Sequence, residues 1–497
     1  MSSSSVPTDV AELEHVDVLV VGAGISGIGA AYHLQTQVPG TSFAVLEALE
    51  SFGGTWLVHT YPGVRSDSDL YTFGYRFKPW VGPPIATRDE IRTYLGEVIE
   101  ENDLGQHIRY RHKITGASWS SEDARWTVTV SRLDDGSTFE MTAGFLWMCQ
   151  GYYNHAQGYT PPWEGFETFE GEVIHPQTWP EDVSLAGKRV VVIGSGATAA
   201  TLLPNIADDC EHVTMLQRSP TYFFARPNAN ELVDQLRALD VDPMWIHEIA
   251  RKQALQMQGL ISQMSLAAPD MVKAELIKNV EEQLPDGFDM THFTPSYRPW
   301  QQRIAMVPNG DLFAAIRSGK ASVVTDEIER FEPAGIRLAS GELLEADVVI
   351  TATGFDLSVM GDIPFSVDGS PVSWSDTVTY RGMMFTGVPN LLWVFGYFRA
   401  SWTLRVDLMG DFVARLLSHM RAAGATTVVP QLRDEDAMLP RLSWIDPENF
   451  NPGYLMRSVD LLPRRLDAPE WQHTQDYWTE KDVIPAAPLD DGCLRFS

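Results

Sequence analysis

The sequence has few cysteines and no concentration of positive charge. Its 497 residues include three cysteines, Cys149, Cys210 and Cys493, in no CxxC or metal-ligand spacing. This sparse, odd count predicts a reducing compartment, no disulfide framework and no metal site. Lys and Arg total 37 against 66 Asp and Glu, so the formal net charge is −29, and no basic block is present. Nucleic acid and anionic membranes are bound through clustered Lys and Arg, and we therefore expect neither as a partner.

A signal peptide and a membrane span are also not expected. The apolar stretch at residues 16–31 is interrupted by glycines. It follows the acids Asp9, Glu12 and Glu14 instead of a positively charged region, which is atypical of both kinds of segment. We therefore predict a cytoplasmic protein. Apolar residues make up 44% of the chain and charged residues 21%, which is typical of globular proteins, and the length predicts two or three domains.

A dinucleotide-binding motif stands at the start of the chain. The apolar run at residues 16–21 predicts a buried strand, and Gly22, Gly24 and Gly27 follow it directly, before a helical pattern. The first glycine permits a tight turn, the second lets the backbone approach a pyrophosphate, and the third lets the helix pack on the strand. A second apolar run ends in Glu47, 20 residues beyond Gly27, where an acid accepts hydrogen bonds from ribose hydroxyls.

A second motif of this kind begins with the run KRVVVIG. Gly194, Gly196 and Ala199 give the pattern GxGxxA, and a helix and another strand are predicted after it. The position after that strand holds Arg218 and Ser219 instead of an acid. An Arg at this place suits a 2′-phosphate, so NADPH is favoured over NADH, although an ordinary surface Arg is the alternative interpretation.

The segments around the two motifs have weaker signals. Residues 52–77 read as loops and short turns, and residues 87–101 as an amphipathic helix with Thr87 as its N-cap in a capping box with Glu90. Residues 108–150 predict a small antiparallel layer followed by a strand that returns to the first sheet. Residues 229–285 predict several helices without residues that carry chemistry.

Two dinucleotide motifs in one chain imply two bound nucleotides. FAD held in the first domain and NADPH in the second is the simplest pairing, with hydride transfer to the flavin. A disulfide reductase is disfavoured, since no redox cysteine pair is present. Two options stay open: reduction of a protein or quinone partner, and reaction with dioxygen to a flavin peroxide that inserts oxygen. The second option needs a buried cation with a carboxylate partner, for which Arg303 and Asp67 are candidates.

The stretch FEGEVIHPQTWP, residues 169–180, lies between the two motifs. It follows Pro161 and Pro162 and is too polar for a core strand, so we interpret it as a linker. It fits the pattern FxGxxxHxxxWP through Phe169, Gly171, His175, Trp179 and Pro180. A second pattern, [A/G]GxWxxxx[F/Y]PGxxxD, is matched by Gly53, Gly54, Trp56, Tyr61, Pro62, Gly63 and Asp67. With both patterns, the chain resembles the type I Baeyer–Villiger monooxygenases. Segments such as RSDSDLYTFGYRFKPW and VTMLQRSPTY are most similar to the ethionamide-activating branch.

This resemblance implies an α/β fold with two Rossmann-like dinucleotide-binding domains and an inserted helical subdomain. The implied limits are 1–157 and 356–497 for the FAD-binding domain, 158–228 and 299–355 for the NADPH-binding domain, and 229–298 for the helical insertion. The implied FAD contacts are Gly22, Gly24, Gly27, Glu47, Gly54, Thr55, Trp56 and Asp67. The implied NADPH contacts are Gly194, Gly196, Thr198, Arg218 and Ser219.

By the same resemblance, the catalytic arginine is Arg303 and its carboxylate partner is Asp67. Gln302 stands where many members have a Lys that helps to hold the 2′-phosphate, which leaves more of that task to Arg218 and Ser219. We expect His175 to have a structural or hinge role and not a catalytic one.

The leading hypothesis is an NADPH- and FAD-dependent enzyme that uses O2 to convert small ketones into esters or lactones and that also oxidises sulfides. One alternative is a flavin monooxygenase whose natural substrates are sulfides, thioamides or amines. Another is an NADPH oxidase or flavin reductase, and a third is a flavin-binding sensor without catalysis.

Overall fold

The computed structural model describes residues 13–497. Asp9 and Glu12, which entered the prediction for the N-terminal segment, lie outside the described residues. Among residues 13–497, no helix combines the length and apolarity that a membrane span requires. The α-helices are Ile25–Gln37, Thr55–Val58, Leu70–Phe73, Arg88–Glu101, Ala197–Ile206, Glu231–Ala238, Pro243–Ala267, Pro269–Glu281, Asp311–Arg317, Trp402–Ala423, Asp434–Ala437, Gly453–Met456 and Tyr477–Ala486.

The first sheet has nine strands and draws them from both ends of the chain. From one edge, eight of them are Ser370–Pro371, Phe365–Val367, His112–Ser120, Arg125–Arg132, Thr138–Met148, Glu14–Val21, Phe43–Leu46 and Ile108–Arg109, and the ninth, Leu391–Trp393, also pairs with Thr138–Met148. The long strand Thr138–Met148 explains the prediction for residues 108–150. Its first part is antiparallel to Arg125–Arg132, and its second part is parallel to Glu14–Val21. The antiparallel layer and the returning strand are therefore one continuous sheet.

The second sheet has five strands, all parallel. Their order is Ala321–Thr325, His212–Gln217, Arg189–Ile193, Val348–Thr351 and Glu172–Ile174. The last of them corrects the interpretation of residues 169–180 as a linker alone, because Glu172–Ile174 is an edge strand of this sheet. Its polar sequence fits that place: Glu172 and Val173 are exposed and only Ile174 is buried.

The remaining strands form six smaller sheets. Five are pairs: Phe223–Arg226 with Ala305–Pro308, Tyr153–Gly158 with Phe355–Leu357, Thr379–Tyr380 with Met384–Phe385, Val428–Pro430 with Leu494–Phe496, and Leu442–Ser443 with Arg464–Arg465. The sixth is the three-stranded sheet Ile328–Glu332, Gly335–Leu338 and Leu343–Glu345.

The local helix signal at residues 87–101 is accurate, whereas two short helices were not expected. The helix Arg88–Glu101 has Thr87 as its N-cap, and the predicted capping box with Glu90 is present. Residues 52–77, predicted as loops and turns, also contain two four-residue helices, Thr55–Val58 and Leu70–Phe73.

The predicted helical region packs on segments from both ends of the chain. Its long helix Pro243–Ala267 lies against Leu70–Phe73, and the Trp478 indole donates a hydrogen bond of 3.1 Å to the carbonyl of Leu255. Arg251 donates to three carbonyls of residues 71–74. The fold class predicted from the sequence, α/β with Rossmann-like domains, is confirmed, whereas the domain limits stay a prediction.

Candidate active site between two glycine turns

The first glycine turn is closed by backbone contacts that leave no room for a side chain at its first and third glycines. Gly22 has a φ of +99°, and its N–H donates to the carbonyl of Leu46 at 2.7 Å. A Cβ on Gly27 would lie 1.8 Å from the Gly22 carbonyl oxygen. Gly24 precedes the helix Ile25–Gln37, and its own Cβ would meet nothing closer than 3.7 Å. Only the second glycine of the motif therefore faces space that a ligand can use.

Glu47 lies at this turn, but part of its hydrogen-bonding capacity is used by the protein. One carboxylate oxygen accepts from the N–H of Ala23 at 2.6 Å, and the other accepts from the N–H of Leu49 at 2.8 Å. Burial raises the pKa of this carboxyl, and the backbone donors oppose that effect. A carboxylate has about four acceptor positions, so two remain for the predicted ribose contact.

The loop that carries the second sequence pattern packs directly on this turn. The Gly53 N–H donates to the Ala23 carbonyl at 3.0 Å, and Gly54, with a φ of +54°, begins the helix Thr55–Val58. The Trp56 carbonyl is held by the Arg88 side chain at 2.8 Å. The structure thus brings Gly54 next to Gly24, with Thr55 and Trp56 directly after it in the helix that follows.

The second glycine turn repeats the first at the five-stranded sheet. Gly194 has a φ of +126°, and its N–H donates to the Leu216 carbonyl at 2.8 Å. Gly196 precedes the helix Ala197–Ile206, and no atom lies within 4 Å of a Cβ placed there. Arg218 and Ser219 follow the neighbouring strand His212–Gln217 and are exposed. The predicted NADPH residues therefore lie at the carboxyl ends of adjacent parallel strands, where this fold binds nucleotides.

Thr198, the remaining predicted NADPH residue, lines a small cavity with His59 and His175. Burial, and then the neighbouring His155 and His175, lowers the pKa of His59 to about 4. Burial also lowers the pKa of His175. His175 Nδ1 accepts from the N–H of Gln177 at 3.1 Å, so this ring holds the turn at the end of the edge strand. That contact agrees with the structural role expected for His175.

The predicted catalytic pair is formed between the two turns. Arg303 Nη1 lies 3.0 Å from Asp67 Oδ2, and the two side chains are 34% and 38% exposed. Burial acts to lower the pKa of the Arg303 guanidinium, but the opposite charge of Asp67 is the main effect against it, and that pKa lies well above its ordinary value. Arg303 is thus a permanent cation with an open side, which can stabilise negative charge that develops on a neighbouring oxygen.

Three tyrosines near Arg303 were not predicted from the sequence. The hydroxyl groups of Tyr152 and Tyr153 form a hydrogen bond of 2.7 Å. The hydroxyl of Tyr454 is buried without a hydrogen-bond partner among the described residues. Burial raises the pKa of Tyr152 and Tyr153, so both are neutral hydroxyl groups at physiological pH. Their position could have been a signal, because Tyr152 and Tyr153 stand just beyond the strand Thr138–Met148, at the edge where ligands bind. Tyr454 is remote from both motifs in the sequence, and its position gave no signal of a site residue.

The residues present suit FAD and NADPH. At the first turn, the side-chain amide of Gln150 is buried and has no hydrogen-bond partner among residues 13–497, which is expected of a group that contacts a polar ligand. At the second turn, Gly196 leaves its helix N-terminus open to an anionic group. Two Rossmann-like sheets with a glycine turn each, facing a shared charged site, define a dinucleotide-dependent oxidoreductase.

Comparisons with known proteins give the particular family. The model of the flavin-binding monooxygenase-like family matches residues 82–369, and that of an NAD(P)-binding Rossmann-like domain matches residues 20–79. The FAD-containing monooxygenase EthA of Mycobacterium tuberculosis is 44% identical over 492 residues, covering 97% of this chain and 98% of EthA. The probable FAD-binding monooxygenase AlmA of Acinetobacter baylyi is 41% identical over 487 residues, covering 97% and 96%. The chain belongs to the flavin-binding monooxygenase-like family.

Solved structures agree on the fold. A steroid monooxygenase bound to NADP matches with a TM-score of 0.74 at 23% identity, covering 97% of this chain and 99% of its own. A structure of OTEMO in complex with FAD and NADP matches with a TM-score of 0.74 at 21% identity and the same coverage. The predicted class, a flavin-dependent monooxygenase, is therefore confirmed, and these findings support FAD and NADPH as its cofactors. The roles assigned to single site residues stay predictions.

Proposed function

We propose that this protein is a monooxygenase of the Baeyer–Villiger type, which uses NADPH, FAD and O2 to convert a ketone into an ester or lactone. The observation that carries the proposal is the Arg303–Asp67 ion pair, 3.0 Å long, between the two glycine turns. When bound, the cofactors would supply hydride transfer and activation of dioxygen. The protein must then bind both cofactors, orient the substrate and stabilise charge.

Oxygen insertion beside a carbonyl places negative charge on the former carbonyl oxygen as the carbon becomes tetrahedral. Arg303 meets this need, since it is charged at every relevant pH and only partly covered. A positioned donor of this kind contributes about 3–4 kcal/mol, or roughly 10²–10³-fold in rate. Asp67 fixes the guanidinium without consuming all of its five N–H groups.

The tyrosine side of the site suits a small organic substrate. Tyr152 stacks on Trp402 with ring centroids 5.3 Å apart and lies 4.7 Å from Phe395, and Tyr153 lies 4.4 Å from Phe355. Such a surface binds apolar carbon, and the neutral hydroxyl groups among the rings can donate to one substrate oxygen. Sulfides also fit this description, and we propose that they are oxidised too.

The two substrate classes differ in their need for Arg303. A ketone develops an oxyanion during the reaction, whereas a sulfide attacks oxygen directly and does not. Arg303→Ala should therefore lower ketone oxygenation by about 10²–10³-fold, lower sulfide oxidation much less, and leave reduction of the flavin by NADPH intact. Arg330→Ala, which removes two surface ion pairs of the three-stranded sheet, is a matched control and should change none of these rates.

The decisive assay supplies the FAD-loaded enzyme with NADPH, O2 and a panel of linear, cyclic and aromatic ketones and sulfides, with each product identified by mass spectrometry. Esters or lactones from any ketone support the proposal. Sulfoxides or N-oxides alone, with every ketone untouched, would contradict the ketone reaction. NADPH consumption with hydrogen peroxide as the sole product across the panel would instead indicate an oxidase. Unchanged lactone formation by Arg303→Ala would remove Arg303 from the reaction.

A further inference from the structure

Three ion pairs join residues 65–69 to the side of the molecule that carries the second glycine turn. They involve every second residue of this short segment, and each has its own partner of opposite charge. The pairs are Arg65 with Asp311, Asp67 with Arg303, and Asp69 with Arg226. The catalytic pair described above is therefore the middle one of three.

The opposing residues all lie on or next to one ribbon, which consists of two parallel strands and the helix that follows the second strand. Arg226 ends the strand Phe223–Arg226, which runs parallel to Ala305–Pro308. Arg303 precedes this second strand by two positions, and Asp311 begins the helix that follows it, Asp311–Arg317. Residues 65, 67 and 69 carry positive, negative and negative charge. The three residues of the ribbon that face them carry the opposite charges in the same order.

Each flanking pair has one side chain that is better shielded from solvent than either member of the central pair. The Arg65 side chain is 14% exposed and that of Asp69 is 9% exposed, against 34% and 38% for Arg303 and Asp67, while the partners Asp311 and Arg226 are 29% and 39% exposed. Arg65 contacts both oxygens of Asp311, the longer contact being 3.2 Å, and Arg226 reaches Asp69 at 3.2 Å. Paired guanidinium contacts fix an orientation, and breaking a pair with a buried member is costly because the buried charge is left without its partner. The two flanking pairs therefore set the separation of the two segments, and with it the position of the central pair.

We propose that the Arg65–Asp311 and Asp69–Arg226 pairs act together as a clasp that positions Arg303 against Asp67 for oxygenation. This inference rests on the role of Arg303 in the proposed function. The four flanking residues are positioning residues and do not react themselves. If one flanking ion pair is broken, the Arg303 guanidinium loses its fixed position while the two glycine turns stay intact. A misplacement of about 1 Å at a reacting centre can cost about 10²-fold in rate.

The test uses substitutions that remove charge with little other change. Arg65→Met keeps most of the side-chain stem. Asp69→Asn keeps the oxygen that accepts from the Tyr71 N–H at the start of the helix Leu70–Phe73, so the helix cap survives while the ion pair is lost. Each holoenzyme is assayed for flavin reduction by NADPH, for oxygenated product per NADPH consumed, for hydrogen peroxide and for thermal unfolding. Arg330→Met, at a surface ion pair, is the matched control.

We expect Arg65→Met and Asp69→Asn each to lower product per NADPH by about 10-fold or more, with a matching rise in hydrogen peroxide and less than a 3-fold change in flavin reduction. Arg65→Lys should recover part of the yield. Because Arg65 and Asp311 act through one contact, the double variant Arg65→Met/Asp311→Asn should be no worse than the poorer single variant.

Three results would overturn the clasp: an unchanged product yield in both Arg65→Met and Asp69→Asn, multiplicative losses in the double variant, or losses fully explained by slower flavin reduction. Arg303→Ala is measured in the same series to separate the two proposals. If Arg303→Ala still oxygenates ketones, the proposed function of Arg303 fails. If Arg303→Ala does not oxygenate ketones, while Arg65→Met and Asp69→Asn form as much product per NADPH as the wild type, the clasp alone fails.

Discussion

Two glycines of the first turn should respond in opposite ways to one added methyl group. A Cβ on Gly27 would lie 1.8 Å from the Gly22 carbonyl oxygen, whereas real Cβ atoms essentially never approach closer than 3.0 Å. The helix Ile25–Gln37 would have to move from the turn by about 1.2 Å. Since backbone forms both sides of the contact, Gly27→Ala should cost at least ~3 kcal/mol of folding stability, at the upper end of overpacking penalties.

Gly24→Ala meets no such obstacle. Its nearest neighbour would be the Gly54 Cα at 3.7 Å, an ordinary contact, and its φ of −76° is allowed for any residue. The apoprotein should therefore keep its stability or gain up to about 1 kcal/mol, because alanine restricts the unfolded chain. The methyl group would, however, occupy the space through which the FAD pyrophosphate is predicted to approach the backbone. We expect the Kd for FAD to rise by at least ~10-fold.

Denaturant unfolding of the apoproteins and titration with FAD, followed by flavin fluorescence, separate these effects. The expected pattern is a destabilised Gly27→Ala and a stable, weakly binding Gly24→Ala. A Gly24→Ala variant that binds FAD with the wild-type Kd would refute the assignment of this turn to the pyrophosphate. Wild-type stability in Gly27→Ala would refute the packing argument.

Further predictions concern the second nucleotide site and two buried groups. Arg218→Ala should raise the KM for NADPH about 10-fold more than that for NADH, and an unchanged ratio in steady-state assays would count against a 2′-phosphate contact. Burial, and then Arg405, lowers the pKa of His473 to about 3, so this ring is neutral in the fold while the unfolded chain protonates near 6.5. The stability that this neutral ring preserves is complete above pH 6.5 and falls as the pH drops towards 3. The share of this ring in the loss between pH 7 and 5, about 2 kcal/mol in denaturant unfolding, should be missing in His473→Gln. Arg405→Met leaves the carboxylate of Glu480, now 2.9 Å from Arg405, buried without its cation, which should cost about 3–5 kcal/mol. Recovery is expected on adding Glu480→Leu, and a further loss would contradict the ion-pair explanation.

Features that depend on neighbouring residues were predictable from the sequence. The glycine turns need particular backbone angles and close approaches, so their residues carry the signal themselves, as the φ of +99° at Gly22 illustrates. The capping box of Thr87 and Glu90 is likewise local. The Arg303–Asp67 contact joins residues 236 positions apart. The need of oxygen insertion for a cation with a carboxylate partner made both residues candidates, and the family resemblance then assigned their roles.

Features that depend on the meeting of distant segments were not predictable. Arg65 and Asp69 stood in a stretch without clear periodicity, and their charges have meaning only once the ribbon with Arg226 and Asp311 faces them. The strand Glu172–Ile174 was missed for a different reason. An edge strand with two exposed residues has neither the apolar run of a buried strand nor a sufficient length for alternation to be seen.

The connection between the two large sheets bears on how the site is assembled. The chain leaves the nine-stranded sheet after Met148 and rejoins it at Phe365, and every strand of the five-stranded sheet lies in between. Both crossings pass through the pair of antiparallel strands Tyr153–Gly158 and Phe355–Leu357. Tyr153 begins this pair, its ring lies 4.4 Å from that of Phe355, and it is close to Arg303. The tyrosine side of the site is therefore attached to the crossing strands between the two sheets, and the ionic side to residues 65–69. The proposed substrate surface and the proposed catalytic cation thus both depend on how the two sheets are connected, and a change in the angle between the sheets would alter the distance between them.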